Sequence, residues 1–471
     1  MNKIKVVVTI GPISSDKNKI RDLIINGADV IRLNLSYATR EFCTEVITKV
    51  RQINNELNTN VGIMLDINGP VIRCGKLLGG KAYYKEKDKI RIYTTDIIGD
   101  NTKLSVDYDK FVDVIKKEDI IKLQDGKVQL KVFEKGEDYV ICEVIKGGEV
   151  VEHKDIIVEN VKFNIPFLRV EDIKNIEFAD SMNIDYLALS YVRSAEDVLE
   201  VNDMLIEAGN DHIEVISKIE CLDGIEDMDN IIKHSSGIML ERTNLGVEIP
   251  VERIPAIQKM IINKCHRMGK VSIITTDLET EDYNPSRAEV SDIVNAVLDG
   301  TDAISLADEI AIGSYPVKIL KTIENVISEA ELDIDYENLY DIAYRTEDED
   351  ITGMIACNVT NTANRLKCKA IIIPTMTGYT ARKISRFRPS CPIIAVSPNE
   401  DVVTSLSLHF GIEAKLIDEL NSLDKIIKAS VKIAEESLEV RDKDKIIITG
   451  GYPFKETKST NFMKIEEIKR R

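Results

Sequence analysis

The sequence lacks the long apolar run that a membrane-spanning protein needs. No stretch approaches the ~20 consecutive apolar residues that cross a bilayer as a helix. The chain starts with Met1, Asn2 and Lys3 and passes directly into a predicted strand, without the apolar segment of a secretory signal peptide. We therefore expect a cytoplasmic protein.

The chain also lacks a dense block of basic residues. Acidic residues outnumber basic ones by 80 to 62, which gives a formal net charge of −18. Such a charge balance disfavours contact with other polyanions. Neither nucleic acid nor an anionic membrane is an expected partner.

Clusters of cysteine or histidine are missing too. The eight cysteines are scattered without a Cys-x-x-Cys pair, and the five histidines lie apart in the sequence. This distribution argues against a disulfide framework, a zinc site and a histidine-based triad. We expect reduced, partly buried thiols.

Short β-branched apolar runs alternate with amphipathic segments along much of the chain. Eight runs are candidate strands, at residues 6–10, 30–35, 61–65, 186–189, 214–216, 237–240, 271–274 and 303–306. Eight alternating β/α units predict a (β/α)8 TIM barrel, in which the chemistry lies at the C-terminal ends of the strands.

Two further segments fall outside this pattern. The first has strand-like runs at 89–93, 127–133 and 139–144, separated by turn signals, and is too long for a loop, so it predicts an inserted all-β domain. The second has strands at 370–373, 393–396 and 446–448 with helical segments between them. The predicted domains are a barrel of 1–73 and 161–335, an inserted domain of 74–160, and a C-terminal α/β domain of 336–471.

The chain is organised around residues 215–250, where two neighbouring strands end in polar side chains. Lys218 and Glu220 are two residues apart, so they leave the strand on one face, as a cation beside a carboxylate. This pair suits phosphate and metal together, although a simple ion pair is the plainer alternative. The next strand runs into Thr243 and Asn244, where backbone N–H groups can receive an anion.

An arginine leaves the second predicted strand at the same end of the barrel. Alternation places Arg32, Asn34 and Ser36 on one face. The planar guanidinium offers a fork for phosphate, and the alternative is that Arg32 pairs with a neighbouring barrel carboxylate.

Longer motifs resemble one enzyme family. They are Ser-Lys-Ile-Glu, Asn-Leu-Gly-Val-Glu-Ile-Pro, and Ser-Arg-Ala-Glu followed by Asn-Ala-Val-Leu-Asp-Gly-Thr-Asp-Ala. Together they resemble pyruvate kinase, and the resemblance runs in the family's order from residue 5 to residue 465. It implies a barrel with a lid inserted after the third strand and a C-terminal allosteric domain. It also implies the glycolytic transfer of a phosphoryl group from phosphoenolpyruvate to ADP.

The resemblance further implies cofactors, partners and residue roles. Mg²⁺ or Mn²⁺ would be required, K⁺ is possible, and the protein would bind ATP or ADP as a homotetramer.

The implied catalytic residues are Lys218, Arg32 and Thr276, with Glu309 matching a family Ser-Gly-Glu motif. The implied substrate-binding residues are Arg32, Thr243, Asn244 and Thr276. The implied nucleotide-binding residues are Arg73, Asn34 and Lys154, while Asp125 is either a nucleotide contact or a plain turn residue. The implied metal ligands are Glu220 and Asn244 for Mg²⁺, and Asn34, Ser36, Asp66 and the Ile67 carbonyl for K⁺.

A loop in the C-terminal domain resembles the family's site for a sugar-phosphate effector. Hydroxyls and a glycine at a helix N-terminus can cradle phosphate, and a helix cap without a ligand is the alternative. The loop residues concerned are Thr375, Thr377, Gly378 and Thr380. Three arginines that follow the loop favour an anion nearby: Arg382, Arg386 and Arg388.

The chain departs from the family in its most informative motif. Where pyruvate kinases read Ala-Arg-Gly-Asp, this chain reads Glu241-Arg242-Thr243-Asn244. Replacing a ligand Asp by Asn244 removes a unit charge, which at ~4 Å and an effective dielectric of ~20 costs on the order of 4 kcal/mol of attraction. Uncompensated, that loss is roughly a thousandfold in Mg²⁺ affinity. Glu241 returns a carboxylate if the turn brings its side chain round.

Other departures surround the predicted site. The family's usual Lys and Glu near the third strand are Asn68 and Val71, which leaves the use of K⁺ open, and Tyr37 replaces a usual His. The lid's return strand, 155–160, lacks the usual Pro and two Gly residues, which alters the hinge. Four carboxylates follow Thr276, beside a site that must accept anions: Asp277, Glu279, Glu281 and Asp282.

Two functional interpretations remain open. In the first, the protein is a working pyruvate kinase whose Mg²⁺ site is weakened by Asn244. In the second, it is a non-catalytic relative that binds a phosphorylated metabolite or a partner subunit. An unrelated (β/α)8 phosphate enzyme, such as an aldolase, would leave the inserted and C-terminal domains unexplained.

Overall fold

The computed structural model describes residues 2–158, 161, 163–210, 212–276, 278, 284–345, 350–419, 422–452 and 460–469.

The chain begins with three strands that alternate with two helices. These elements are β1 (Lys5–Thr9), α1 (Lys17–Ile25), β2 (Val30–Asn34), α2 (Arg40–Leu57) and β3 (Gly62–Ile67). Side-chain oxygens cap both helices: Asp16 accepts from the Asn18 amide and Thr39 from the Phe42 amide.

A β-rich insertion follows β3. Its elements are β4 (Ile72–Arg73), β5 (Lys81–Tyr84), β6 (Lys89–Tyr93), β7 (Lys103–Ser105), α3 (Phe111–Val114), β8 (Ile120–Leu123), β9 (Val128–Lys135), β10 (Tyr139–Lys146), β11 (Gly148–Val151) and β12 (Asp155–Val158). They form a seven-stranded sheet in the order β4-β12-β8-β9-β10-β6-β7 and a two-stranded sheet of β11 and β5. Alternating buried side chains close a core of their own, so the insertion is the all-β lid that the sequence predicts.

The chain then returns to the barrel. The elements are α4 (Val170–Ser181), β13 (Tyr186–Leu189), α5 (Ala195–Glu207), β14 (Glu214–Ile219), α6 (Leu222–Glu226), α7 (Met228–His234), β15 (Gly237–Leu240), α8 (Arg242–Glu248), α9 (Ile254–Met268), β16 (Val271–Thr275), α10 (Arg287–Leu298), β17 (Ala303–Leu306), α11 (Asp308–Ala311) and α12 (Pro316–Ala330). All eight barrel strands pair in parallel and close in the order β1-β17-β16-β15-β14-β13-β3-β2. The predicted (β/α)8 barrel is confirmed.

A second α/β unit completes the chain. Its elements are α13 (Tyr336–Tyr344), α14 (Ile351–Leu366), β18 (Ala370–Pro374), α15 (Tyr379–Arg386), β19 (Ile393–Ser397), α16 (Glu400–Thr404), β20 (Ile412–Leu416), α17 (Leu423–Ser437), β21 (Lys445–Gly451) and β22 (Thr460–Glu467). The sheet order is β20-β19-β18-β21-β22, with β22 antiparallel to β21. The C-terminal α/β fold is confirmed, while the domain boundaries at residues 73, 160 and 335 stay predictions.

The barrel separates the lid from the C-terminal unit. The lid leaves from the C-terminal end of β3, whereas the C-terminal unit contacts the opposite end, where strands begin. There Arg388 binds Asp302, which precedes β17, at 2.7 Å, and the Tyr186 hydroxyl donates to the Ser405 carbonyl at 2.7 Å. The end of the barrel that carries chemistry in this fold therefore faces the lid.

Two findings on composition follow from the packing. All eight cysteines are free thiols in buried positions, more deeply buried than the sequence analysis expected. No helix among the described residues has the length and apolarity to cross a membrane.

Candidate active site

The C-terminal ends of the barrel strands bring two cations and three carboxylates together. Arg32 lies two residues before the end of β2, and Asp66 and Lys218 are the penultimate residues of β3 and β14. Glu220 directly follows β14 and Glu241 directly follows β15. We call these five residues the charged cluster.

Lys218 lies at the centre of the charged cluster and is 4% exposed. Its Nζ lies 3.0 Å from Asp66 Oδ2 and 3.2 Å from Glu220 Oε1, and it donates to Ser190 Oγ at 2.9 Å. Burial works against the ammonium form, but the nearby carboxylates, Asp66 first, raise the pKa of Lys218 above its ordinary value. Lys218 and Glu220 thus leave the strand as a cation beside a carboxylate, as the alternation in the sequence predicts.

Arg32 completes the cationic side of the cluster. Its Nε lies 3.1 Å from Asp66 Oδ2, to which Nη2 also donates, and Nη2 lies 3.3 Å from Glu241 Oε1. The pairing with a barrel carboxylate, which the sequence analysis kept as an alternative, is therefore present. Asp66 holds Arg32 and Lys218 side by side.

Glu220 is enclosed by donors. Its Oε2 accepts from the Tyr191 amide at 2.7 Å, and its Oε1 accepts from Asn244 Nδ2 at 3.3 Å. Burial raises the pKa of Glu220 to about 7, against the opposing effect of Lys218.

The residues that replace the family motif form the start of α8. Glu241 precedes the helix, Thr243 and Asn244 lie in its first turn, and the Asn244 side chain reaches Glu220 of the charged cluster. Arg242 turns away and pairs with Asp292 of α10.

A second polar group connects β2 with the lid. Asn34 Oδ1 accepts from the Ser36 amide at 2.8 Å, and Ser36 Oγ donates to Asn68 Oδ1 at 2.5 Å. Arg73 Nη2 donates to Ser36 Oγ at 3.2 Å. Asn34, Ser36 and Arg73 are therefore neighbours, and their roles in nucleotide and cation binding stay predictions.

Two members of the predicted potassium shell have other partners. Asp66 is turned to the two cations of the charged cluster. The Ile67 carbonyl accepts from the Ser190 amide at 3.4 Å. Val71 is buried at 6% exposure and carries no charge, and the use of K⁺ stays a prediction.

The lid contacts the barrel near this group. Lys154 Nζ lies 5.5 Å from the centre of the Tyr37 ring. Burial works against its charge, but Tyr37 and then Asp125 raise the pKa of Lys154 above its ordinary value. Lys122 of the lid donates to the Val247 carbonyl of α8. The predicted lid residues Lys154 and Asp125 thus face the mouth of the barrel.

Thr276 and Glu309 lie together at the ends of the last two strands. Thr276 Oγ1 donates to Glu309 Oε1 at 3.0 Å, and the Ala307 amide donates to Glu309 Oε2 at 2.9 Å. Burial raises the pKa of Glu309 to about 7. The four carboxylates predicted to follow Thr276, namely Asp277, Glu279, Glu281 and Asp282, lie outside the described residues.

Comparison with known proteins assigns the family. The sequence model of the pyruvate kinase barrel domain matches residues 1–320, and that of the pyruvate kinase alpha/beta domain matches residues 353–466. The chain belongs to the pyruvate kinase family. It is 38% identical to the pyruvate kinase of Clostridium perfringens, over 99% of this chain and 100% of the relative. It is 36% identical to that of Geobacillus stearothermophilus, over 99% of this chain and 80% of the relative.

A solved structure agrees with this assignment. A pyruvate kinase from Cryptosporidium parvum is 31% identical and superposes with a TM-score of 0.89, over 99% of this chain and 96% of that one. The pyruvate kinase fold therefore includes the lid and the C-terminal unit as well as the barrel.

In this chain, the loop of residues 375–380, which resembles an effector site, forms the capped start of helix α15. Thr375 Oγ1 accepts from the Gly378 amide at 2.9 Å, and Gly378 has a φ of 74° ahead of α15. Thr380 is buried against Thr460 at 2.6 Å, whereas Thr377 is exposed. The cap that the sequence analysis kept as an alternative is present, and whether it also binds phosphate stays a prediction.

The three arginines after that loop have partners in the barrel. Arg382 Nη2 lies 2.6 Å from Glu214 Oε1, and Arg388 Nη1 lies 2.7 Å from Asp302 Oδ1. Arg386 donates to the Arg267 carbonyl. All three side chains attach the C-terminal unit to the barrel, so they are not evidence for an anion. Their partners are distant in sequence, and the helix pattern alone cannot show them.

Two residues that contact the charged cluster, Ser190 and Tyr191, were not predicted from the sequence. Ser190 and Tyr191 follow β13 directly, Ser190 Oγ touches both Lys218 and Asp66, and the Tyr191 hydroxyl donates to Asp155 Oδ2 of the lid at 3.2 Å. Their position at a strand end of a predicted barrel was the available signal.

Proposed function

We propose that the protein transfers the phosphoryl group of phosphoenolpyruvate to ADP, giving pyruvate and ATP. The single observation behind the proposal is the pairing of Arg32 and Lys218 on one carboxylate at the mouth of a pyruvate kinase barrel. Two adjacent cations are what a transferring phosphoryl group needs, since its reaction requires positioning and charge stabilisation rather than a covalent enzyme intermediate.

Each member of the charged cluster has a part in this reaction. Arg32 and Lys218 bind the phosphoryl oxygens while the bond from phosphorus to the enol oxygen breaks and the bond to an ADP oxygen forms. Asp66 and Ser190 orient the Lys218 ammonium through the contacts they make with it. The amides of Thr243 and Asn244 take the substrate carboxylate, a role that survives a change of side chain.

Thr276 acts in the second half of the reaction. The enolate released by phosphoryl transfer accepts a proton at its methylene carbon. Thr276 is 5% exposed, and its hydroxyl is held by Glu309, whose raised pKa of about 7 makes a proton available near neutral pH. We assign protonation to this pair.

The donor chemistry of the site suits a divalent cation. Glu220 supplies a carboxylate and Asn244 an amide oxygen, the hard oxygens that Mg²⁺ prefers. A bound Mg²⁺ would offset negative charge on the phosphoryl oxygens. No group of three or more His, Cys, Asp or Glu side chains within the described residues is arranged to hold a metal. We propose that the substitution by Asn244 weakens the Mg²⁺ site.

Nucleotide and monovalent cation sites complete the proposal. Arg73 and Lys154 would bind ADP phosphates with Asn34 beside them, and K⁺, if used, would lie against Asn34 and Ser36. We further propose that the loop of 375–380 receives a sugar-phosphate effector and that the protein is a homotetramer, as the family assignment implies.

A non-catalytic function is the second candidate. It is favoured by Asn244, a neutral side chain that replaces the family's acidic ligand and hydrogen-bonds to Glu220 at 3.3 Å. A protein of this kind would bind phosphoenolpyruvate through Arg32 and Lys218 without transferring its phosphoryl group.

Steady-state pyruvate formation separates the two functions. We expect wild type to form pyruvate in the presence of Mg²⁺, and Lys218→Met to lower kcat about a thousandfold because a cation that stabilises the transferring group is lost. Asn244→Asp restores a charged ligand, so it should lower the Mg²⁺ concentration for half-maximal rate at least about tenfold. Phosphoenolpyruvate binding without pyruvate formation, in wild type and in Asn244→Asp alike, would favour the non-catalytic function.

A further inference from the structure

Glu241 occupies a position at which the family motif has a small alanine. It directly follows β15, and its amide donates to the Ile219 carbonyl at 3.3 Å, which brings it beside the end of β14. Its side chain is 17% exposed, so it is directed inward rather than into solvent. The Glu241 carboxylate therefore lies against the other members of the charged cluster.

The contacts of Glu241 are with the two cations proposed to bind phosphoryl oxygens. Glu241 Oε1 lies 3.3 Å from Arg32 Nη2 and 3.6 Å from Lys218 Nζ. The same Lys218 Nζ lies 3.2 Å from Glu220 Oε1. Glu220 and Glu241 therefore share one ammonium group, which places both carboxylates on the same small volume at the mouth of the barrel.

The charge of the cluster depends on Glu241. Arg32 and Lys218 contribute two positive charges, and the carboxylates of Asp66, Glu220 and Glu241 contribute three negative ones. Without Glu241 the side-chain charges would cancel. The motif Ala-Arg-Gly-Asp, which this chain resembles, has its acid three residues later, where Asn244 now stands. One carboxylate is therefore lost and one gained at the same site.

We infer that Glu241 supplies the second anionic ligand of the divalent cation, in place of the acid that Asn244 lacks. This inference rests on the proposed function, since it concerns the metal of that same site. Glu241 has one more methylene than an aspartate, which extends its reach from the start of the turn. Asn244 keeps a neutral oxygen as an additional ligand.

A competing role for the same contacts is that Glu241 only neutralises Arg32 and Lys218. In that case it would oppose phosphoenolpyruvate rather than assist metal binding. The two roles predict opposite effects of removing the charge, so one set of variants distinguishes them.

Mn²⁺ binding in the absence of substrate provides the test. Free Mn²⁺ is measured by electron paramagnetic resonance during titration of wild type, Glu241→Gln, the double variant with Glu241→Gln and Asn244→Asp, and Glu252→Gln. We expect Glu241→Gln to weaken Mn²⁺ binding at least about tenfold, because a unit charge is removed from the site. The double variant moves the acid to the family position and should return to within about threefold of wild type. Glu252→Gln, which removes an exposed carboxylate just beyond α8, should match wild type.

Three outcomes would overturn the inference. They are Mn²⁺ affinity of Glu241→Gln within about twofold of wild type, a double variant no tighter than Glu241→Gln, and tighter phosphoenolpyruvate binding by Glu241→Gln with Mn²⁺ affinity unchanged. Far-ultraviolet circular dichroism and melting of each variant establish that it is folded. Wild type that binds Mn²⁺ through Glu241 but forms no pyruvate would defeat the proposed function and leave this inference standing.

Discussion

At the scale of single residues, the proposed reaction depends on charges that are buried together. Lys218, Glu220 and Asp66 are each less than 5% exposed, and Arg32 is 4% exposed. Removing one member of such a group leaves its buried partners with fewer opposite charges, which is destabilising. Charges held this closely are already oriented when substrate arrives, which is the condition under which they stabilise a transition state most effectively.

Glu309 gives a prediction on pH. Burial raises the pKa of Glu309 from 4.5 in the unfolded chain to about 7 in the folded protein. Between these two values the folded state binds the proton more tightly than the unfolded state does. The free energy of unfolding therefore falls as the pH rises through this range. We expect the stability of wild type relative to Glu309→Gln to fall by about 3 kcal/mol from pH 4.5 to pH 8. Urea unfolding of both proteins across that range measures the difference. Parallel pH profiles would show that Glu309 ionises normally.

The sequence predicted part of this site and not the rest. Alternation on a strand was enough to place Lys218 beside Glu220, because side chains two residues apart share a face. The position of Glu241 depends on the turn that starts α8, and a sequence does not show the direction of a side chain in such a turn. Tyr191 has a φ of 53°, an uncommon left-handed conformation, which no pattern in the sequence indicated.

At the scale of elements, the lid is attached to the barrel by the pair β4 and β12. Arg73 of β4 and Asp155 of β12 are directly opposite, with Arg73 Nε 3.1 Å from Asp155 Oδ1. The Tyr191 hydroxyl also donates to Asp155, and the Tyr191 amide donates to Glu220. The hinge of the lid is therefore connected through one residue to a carboxylate of the charged cluster.

The Arg73–Asp155 pair predicts local stability of the hinge. The two side chains are about a quarter exposed, so we expect Asp155→Asn to lower the free energy of local opening by about 1 kcal/mol or less. Such a loss corresponds to amide exchange that is up to about fivefold faster in β4 and β12. Hydrogen exchange read by mass spectrometry measures this effect. Glu149→Gln breaks an exposed lid pair with Lys81 and should leave the hinge unchanged. Equal exchange in Asp155→Asn and wild type would contradict a hinge role.

Element prediction succeeded for buried strands and failed at edges. All eight predicted barrel strands exist, because each is an apolar run buried on both faces. The two strands missed in the C-terminal unit, β20 and β22, are the two edges of its sheet. They carry polar residues that face solvent, so neither has the apolar run that marked the central strands.

At the scale of the whole molecule, the barrel is held at its two ends by different units. The lid covers the end with the charged cluster, and the C-terminal unit is attached to the other end. Arg388 and Asp302 form a buried ion pair between that unit and the barrel, with side chains 2% and 5% exposed. Arg388 holds the pKa of Asp302 below its ordinary value although burial works in the other direction.

The Arg388–Asp302 pair predicts that removing the cation lowers the free energy of unfolding substantially. Arg388→Met leaves Asp302 buried without its cation, so we expect a loss of about 3–5 kcal/mol and a lower unfolding midpoint. Differential scanning calorimetry measures the shift. Lys432→Met removes one partner of a pair in which both side chains are mostly exposed, and should change stability by about 0.5 kcal/mol at most. A midpoint of Arg388→Met equal to that of Lys432→Met would show that the link is not stabilising.

Phosphorus-31 magnetic resonance of the wild-type protein with phosphoenolpyruvate, ADP and Mg²⁺ shows whether the protein transfers the phosphoryl group. We expect the phosphoenolpyruvate signal to decay while the β-phosphate signal of ATP grows in equal amount, and Lys218→Met to show neither change on the same time scale. Unchanged phosphoenolpyruvate and ADP signals with wild type, under Mg²⁺ and Mn²⁺ at saturating concentrations, would contradict the proposed function.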